Sequence, residues 1–374
     1  MALPRRPYGW LYKIVSFVTL FLFIFTRITT YVLMPWRRPQ KKWTLRQLFM
    51  VELARRFIHI ESRTQQSCTL SLEPLKEKIR FTLIEPAAAY FYRGPLDRQE
   101  CPAIIGGTWY PEPLKSPDQM PSSSTIILHM HGGAFITGDG RPKQLAFMCS
   151  ALLRSGDVTA VFAPQYRLSS RPGSHHFPAA LQDTLSSYLH LIQTLGIPAN
   201  HITVSGDSAG GNLVIGLLRY LSIYGRDLGI PLPAKAVLMS PWVAPKASVG
   251  PEIVTTSNPN YKTDYLPHSH LLWGAMAYAG KASPADRFIS PLGHPFPTPV
   301  PTLVTVGSDE LFEADIALWA EEMDRVEGND IWLRYEENAP HDTLLVGAML
   351  GWVDSAEMMA HLISTFAKCE PKQT

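Results

Sequence analysis

At 374 residues the chain is long enough to bury a large core, as one big α/β domain or two modest ones. With 18% charged and 46% hydrophobic residues its composition is globular, which excludes a disordered chain, and a net charge of +2 with no basic stripe leaves no footprint for a nucleic-acid partner. The four cysteines, Cys68, Cys101, Cys149 and Cys369, are widely spaced and form no C-x-x-C pair, which leaves one disulfide or free thiols open and argues against a cysteine-ligated metal.

The N-terminus reads as a membrane signal. Residues 14–25 are apolar or small, and weakly polar sequence continues to Trp36; at about 1.5 Å per helical residue the longer stretch spans a bilayer core. No small-x-small cleavage site follows the apolar run, so residues 1–42 are expected to be a retained single-pass anchor and its basic flank instead of a cleaved signal peptide. Arg27 is the costly residue in it, cheapest near a helix end where it can reach the headgroups. Arg5, Arg6 and Lys13 precede the span, while Arg37, Arg38, Lys41, Lys42 and Arg46 follow it. That count favours a cytosolic position for residues 43–374.

Within 43–60, Leu45, Leu48, Phe49, Leu53, Phe57 and Ile60 recur at helical spacing. The helix packs on the domain, contributes to a cap drawn from about 43–80, or lies on a membrane surface. Strand-like segments at 90–93 and 103–110, the second ended by Pro111 and Pro113, read as a sheet-edge hairpin. From there strand and helix alternate. The expected strands are 125–130, 158–163, 202–205, 236–239, 303–306 and 331–335, and the expected helices 143–154, 178–195, 212–224, 315–326 and 355–368. Short apolar strands separated by such helices imply a mostly parallel sheet covered on both faces. Over 241–272 the rhythm lapses into proline, serine and asparagine. In such sheets ligands bind at the carboxyl ends of the strands, so this excursion is a candidate second piece of the cap.

Gly206-Asp207-Ser208-Ala209-Gly210-Gly211 lies between strand 202–205 and the helix after it, and reads as a nucleophile elbow that lifts the Ser208 hydroxyl above the sheet. The pentapeptide alone recurs by chance, so its surroundings decide. A serine needs a base, and the base an orienting acid; the elbow fold supplies them in the order Ser, Asp or Glu, His. Asp309 follows strand 303–306 and His341 follows strand 331–335, so both are expected to be catalytic, against the plainer readings of a helix cap and a loop histidine. Asp315 is the competing acid, a turn into the next helix. Strand 125–130 runs into His131-Gly132-Gly133-Ala134, where the N–H groups of Gly132 and Gly133 are expected to join that of Ala209 in an oxyanion hole. His129 and His131 lack the further ligands a metal needs; His131 is expected to shape the turn.

These residues give the chain its likeness to known proteins. It resembles the hormone-sensitive-lipase family of α/β-hydrolases, with arylacetamide deacetylases and fungal steryl acetyl hydrolases. The similar segments are His131-Gly132-Gly133-Ala134-Phe135, Tyr166-Arg167-Leu168 with Phe177-Pro178-Ala179-Ala180-Leu181, Gly206 to Asn212, Ser290-Pro291-Leu292, Asp309-Glu310-Leu311 and His341. The resemblance implies an α/β-hydrolase fold with an eight-stranded sheet, a cap built partly from N-terminal helices, and no cofactor. It also implies a membrane anchor in the endoplasmic reticulum with a lumenal catalytic domain, against the charge count. Departures are Ala134 and Glu310 where glycine and proline are usual, Glu313 for a second aspartate, and Asp342-Thr343 for Gly-Phe after the histidine.

The expectation is a serine esterase or deacetylase acting on an acetyl or other short-chain ester of a lipophilic small molecule, such as a sterol or terpenoid acetate. An acyltransferase, an amidase or formamidase with the same residues, and a ligand-binding protein on the same fold are the alternatives. Retention of His341 argues against the last.

Overall fold

β-branched and leucine-rich segments with few polar residues become strands buried on both faces, and their order fixes the layout. The computed structural model describes residues 8–97, 100–114, 121, 124–170 and 174–368; Arg5, Arg6 and Cys369 lie outside the described residues. Eight strands form one sheet: β1 (Phe81–Ile84), β2 (Ile105–Tyr110), β3 (Ile126–Met130), β4 (Ala160–Gln165), β5 (Ile202–Asp207), β6 (Lys235–Met239), β7 (Thr302–Gly307) and β8 (Ile331–Glu336). Their spatial order is β1-β2-β4-β3-β5-β6-β7-β8. The β1–β2 and β2–β4 pairs are antiparallel, and all pairs from β4 to β8 are parallel.

The helices are α1 (Tyr8–Leu33), α2 (Leu45–Thr64), α3 (Pro142–Arg154), α4 (Ala179–Leu189), α5 (Ala209–Tyr220), α6 (Arg226–Leu228), α7 (Glu252–Thr256), α8 (His268–Ala279), α9 (Glu313–Asp324), α10 (Thr343–Leu350) and α11 (Val353–Ala367). One face of the sheet packs Val161 and Val237 against Leu145, Met148 and Leu152 of α3 and Ala360 and Ile363 of α11. The other packs Phe162, Val204 and Val304 against Leu185 of α4, Leu213 and Leu217 of α5, and Trp319 of α9. The family resemblance implied this eight-stranded, doubly covered sheet, and the structure has it.

Two local differences from the sequence reading have identifiable causes. The edge strand that pairs with β2 is β1, not residues 90–93; there the chain makes a 3-10 turn, Ala89–Phe91. Its polar groups are met by side chains in place of a strand. The Tyr92 hydroxyl takes the Ala87 N–H at 2.9 Å and lies 2.7 Å from Ser186 Oγ, while Tyr220 donates to Phe91 O at 2.5 Å. Helix α10 carries apolar residues all round (TLLVGAML) and so lacks the one-sided periodicity that marks a surface helix.

Above the carboxyl ends of the strands, α2 packs on α8 and α10. Thr44 and Gln47 start α2 with a reciprocal capping box. Trp43 donates to Asn338 O at 2.7 Å, and Gln47 to Gly351 O at 2.9 Å. Helix α1 runs along α2 through a Lys13–Glu61 ion pair of 2.9 Å and the guanidinium of Arg56 over the Phe23 ring. It is long and apolar enough to cross a membrane.

Candidate active site

Ser208 sits at the turn from β5 into α5 with φ 50° and ψ −115°, a strained conformation for a residue with a Cβ. The turn is held by hydrogen bonds from Ser208 N to Met239 O and from Trp242 N to Ser208 O, both 2.9 Å. Close approach explains the flanking glycine: a Cβ on Gly210 would lie 1.9 Å from Met130 O.

Ser208 and His341 line one cavity of about 340 Å³ under the α2 and α8 cap. Its apolar wall includes Phe57, Ile58, Leu266, Leu271, Trp273 and Val346. His341 is buried at 2% exposure and is wedged edge-on between Phe312 and Tyr265, with ring centroids 5.2 and 5.9 Å away. The His270 ring also lines the cavity; burial, with the charge of His341 second, lowers it to about 4, so it is neutral at pH 7.

The carboxylate that faces His341 is Glu310, whereas Asp309, the expected acid, is engaged elsewhere. His341 Nδ1 lies 3.7 Å from Glu310 Oε1, and these two buried atoms have no hydrogen-bond partner among the described residues. The gap is longer than a hydrogen bond, but such contacts are often long before a ligand binds. The other oxygen, Oε2, accepts from Ser240 Oγ at 2.5 Å and from Gly307 N at 3.1 Å. Burial opposes a charge on His341, yet the Glu310 carboxylate outweighs it and raises the imidazole above its usual value, with Asp264 and Asp207 adding to the effect.

Asp309 points the other way. Its Oδ2 accepts from Gln40 Nε2 at 2.8 Å, and half-burial raises its carboxyl. The cap excursion fixes this arrangement: Asp264 Oδ2 accepts from Leu311 N at 2.6 Å, Thr263 donates to Asp309 O at 2.8 Å, and Asn260 donates to Glu310 O at 3.0 Å. Asp315 lies within α9. The sequence held one clue to Glu310, a carboxylate three residues after Gly307 and able to fold back on its N–H.

In the loop after β3, Gly132 and Gly133 of the expected oxyanion hole are placed differently. Gly132 N donates to Asp207 Oδ1 at 2.8 Å, so this N–H is engaged. A Cβ at Gly132 would stand 2.1 Å from Asp207 Oδ2, which is why a glycine is needed here. Gly133 and Ala134 line the cavity beside Ser208, with φ of 114° and 52°, and Ala209 opens α5 directly after the serine. His129 bridges strands, its Nδ1 2.8 Å from Ser205 Oγ and its Nε2 3.1 Å from Asp207 Oδ1. His131 donates from Nδ1 to Gly132 O at 2.7 Å and stacks on Tyr166 at 4.2 Å, which shapes the turn.

A strand-to-helix serine, a late histidine and a carboxylate on one mostly parallel sheet define an α/β-hydrolase class of protein. A family model described as alpha/beta hydrolase fold matches residues 127–345, and the chain belongs to that family. It is 34% identical over 191 residues to an acetyl-hydrolase of Streptomyces hygroscopicus, covering 50% of this chain and 58% of that protein. It is 27% identical over 199 residues to the hormone-sensitive lipase of Homo sapiens, covering 51% and 17%, and 24% identical over 123 residues to steryl acetyl hydrolase 1 of Saccharomyces cerevisiae, covering 33% and 27%. The chain thus spans little more than half the length of the first of these relatives. A solved esterase of the bacterial hormone-sensitive lipase family shares the fold, with TM-score 0.60 and 22% identity over 87% of this chain and 98% of that one.

Proposed function

We propose that the chain is a serine hydrolase that cleaves carboxylic esters of lipophilic small molecules through an acyl-enzyme. The observation that carries this reading is the shared cavity of strained Ser208 and buried His341, whose Nδ1 faces Glu310. Nδ1 held by Glu310 leaves Nε2 for the serine. Ser208 Oγ attacks the acyl carbon as Nε2 takes its proton, and the leaving alcohol then takes that proton back. Water repeats the sequence on the acyl-enzyme, releasing the acid and restoring Ser208. The N–H groups of Gly133, Ala134 and Ala209 are assigned to the oxyanion, where each such donor is worth roughly 2.7–4 kcal/mol.

The apolar cavity wall favours a lipophilic ester, in keeping with relatives named as an acetyl-hydrolase and an esterase. Helix α1 supports attachment to a membrane. It turns Lys13, Ser16 and Ile24 toward the domain and leaves Val18, Phe21, Leu22 and Phe25 about 70% exposed or more, the reverse of a helix that faces water. A fluorophosphonate probe is expected to label the wild type and not Ser208→Ala, and a panel of esters of varied acyl length to be hydrolysed by the wild type alone. Labelling that persists in Ser208→Ala would sink the assignment, and release of the protein from membranes by alkaline carbonate would sink the attachment.

A further inference from the structure

Asp342 directly follows the base, and its surroundings give it work to do. Its backbone is left-handed, with φ 45° and ψ 66°, a region that aspartate, asparagine and glycine tolerate best. Its N–H donates to Ser240 Oγ at 3.2 Å, and the same hydroxyl donates to Glu310. Its Oδ1 accepts, at 3.4 Å, from Leu345 N in the first turn of α10. That leaves Oδ2, a buried atom with no donor among the described residues.

Asp207, the residue before the nucleophile, is in the same position. Its Oδ1 is engaged by Gly132 N and His129 Nε2, and its Oδ2 is buried with no donor among the described residues. Both residues reach the wall of the same cavity, one directly before Ser208 and the other directly after His341, and each carboxyl acts on the other's ionisation. Two carboxylates in contact away from water cannot both be ionised, and the arrangement that satisfies both lone oxygens has one proton between them. Asp207 has the N–H and imidazole partners that favour an anion, so the proton belongs to Asp342.

We propose that Asp342 is a positioning residue for the base: as a neutral carboxylic acid it donates from Oδ2 to Asp207 Oδ2, and this bond clamps the His341 loop to the nucleophile elbow. The proposal rests on His341 acting as the base of Ser208. Burial, then the charge of Asp207, raises the Asp342 carboxyl well above the carboxylate range, consistent with a proton retained at neutral pH. The titratable groups around the pair are His129 and His131 from the oxyanion side, Tyr265 from the cap, and Glu310 and His341 from the acid and base loops. Loss of the shared proton at alkaline pH sets two anions against each other and releases the loop, so activity is lost as pH rises through that ionisation.

The test compares full-length Asp342→Asn and Asp342→Gly, both of which fit the left-handed backbone. An asparagine amide still donates to Asp207, whereas glycine leaves the contact empty. Asp342→Asn is expected to keep kcat within about threefold of wild type and lose the alkaline limb, while Asp342→Gly loses about tenfold to a hundredfold in kcat with KM little changed, as a misplaced base would. Infrared difference spectra of the wild type between neutral and alkaline pH should show the loss of a carboxylic-acid C=O band that is missing from both variants. Wild-type kcat in Asp342→Gly, or an unchanged acid band in Asp342→Asn, would overturn the clamp. The band does not depend on turnover, so failure of the esterase reading would show separately, as absent hydrolysis and absent fluorophosphonate labelling in the wild type.

Discussion

Ser208 and Gly133 are placed by backbone, whereas His341 and Glu310 are placed by other side chains. On the nucleophile side, β3 and β5 run in register, with Met130 beside Gly206. Glycines at 132 and 210 let the two loops touch where any side chain would collide. On the acid–base side, the residues after β7 and β8 are fixed by Ser240, Asp264, Asn260 and Asp342, most of them from distant parts of the chain. One side is set by strand ends and close packing, the other by a buried polar network whose members depend on one another.

Exchanging the acids should break or sharpen this contrast most. Glu310→Ala is expected to lower kcat/KM by about 10³–10⁴-fold, the scale of removing the group that orients a catalytic histidine. Asp309→Asn should stay within about threefold of wild type, because Asp309 meets Gln40 and not the base. Steady-state kinetics of the two variants decides between them; the reverse ranking would return the role to Asp309.

On the backbone side the corresponding change is Gly132→Ala. Its Cβ would press on the Asp207 carboxylate at 2.1 Å and on Asp207 O at 3.1 Å, so the loop or the elbow must shift. Overpacking of this kind costs about 1–3 kcal/mol, read as a lowered Tm in thermal unfolding. Unchanged stability would mean that the loop is softer than the close packing implies.

The pH profile probes the side-chain network directly. His341 acts as a base only when neutral, and the facing Glu310 raises its ionisation above the ordinary histidine value. kcat/KM should therefore fall as pH drops through a point above that value. Glu310→Gln removes the stabilising charge, so the acid limb of its residual activity should move to lower pH; a limb that stays in place would show that Glu310 does not set the base.

These two sides differed in how far the sequence could be read. The parallel sheet, the elbow and the positions of Ser208 and His341 follow from local patterns: short β-branched strands, a glycine-flanked serine, and loops after late strands. The choice between Asp309 and Glu310 does not, because adjacent residues share a loop and the decision lies with Thr263 and Asn260 holding its backbone and Ser240 receiving the Glu310 carboxyl. The engagement of the Gly132 N–H was hidden for a related reason, since its partner Asp207 is 75 residues away in sequence. Residues 90–93 carried the aromatic composition of a strand but meet Ser186 and Tyr220 by side-chain hydrogen bonds.

The smallest effect is expected where a side-chain contact is exposed. Lys13 of α1 meets Glu61 of α2 at 2.9 Å, with the two side chains 21% and 35% exposed, and Glu61 also lines the catalytic cavity. Water reaches both groups, so screening leaves such a pair worth about 0.2–1 kcal/mol. The α1–α2 contact is carried as well by Arg56 over Phe23 and by buried Leu20, Ile24 and Ile60, which remain in Lys13→Ala. The variant should thus unfold within about 1 kcal/mol of wild type in a denaturant titration and keep its kcat on a soluble ester. A marked loss of kcat would mean that the N-terminal helix governs the base and acid loops through the cap, and that the polar network extends into α1.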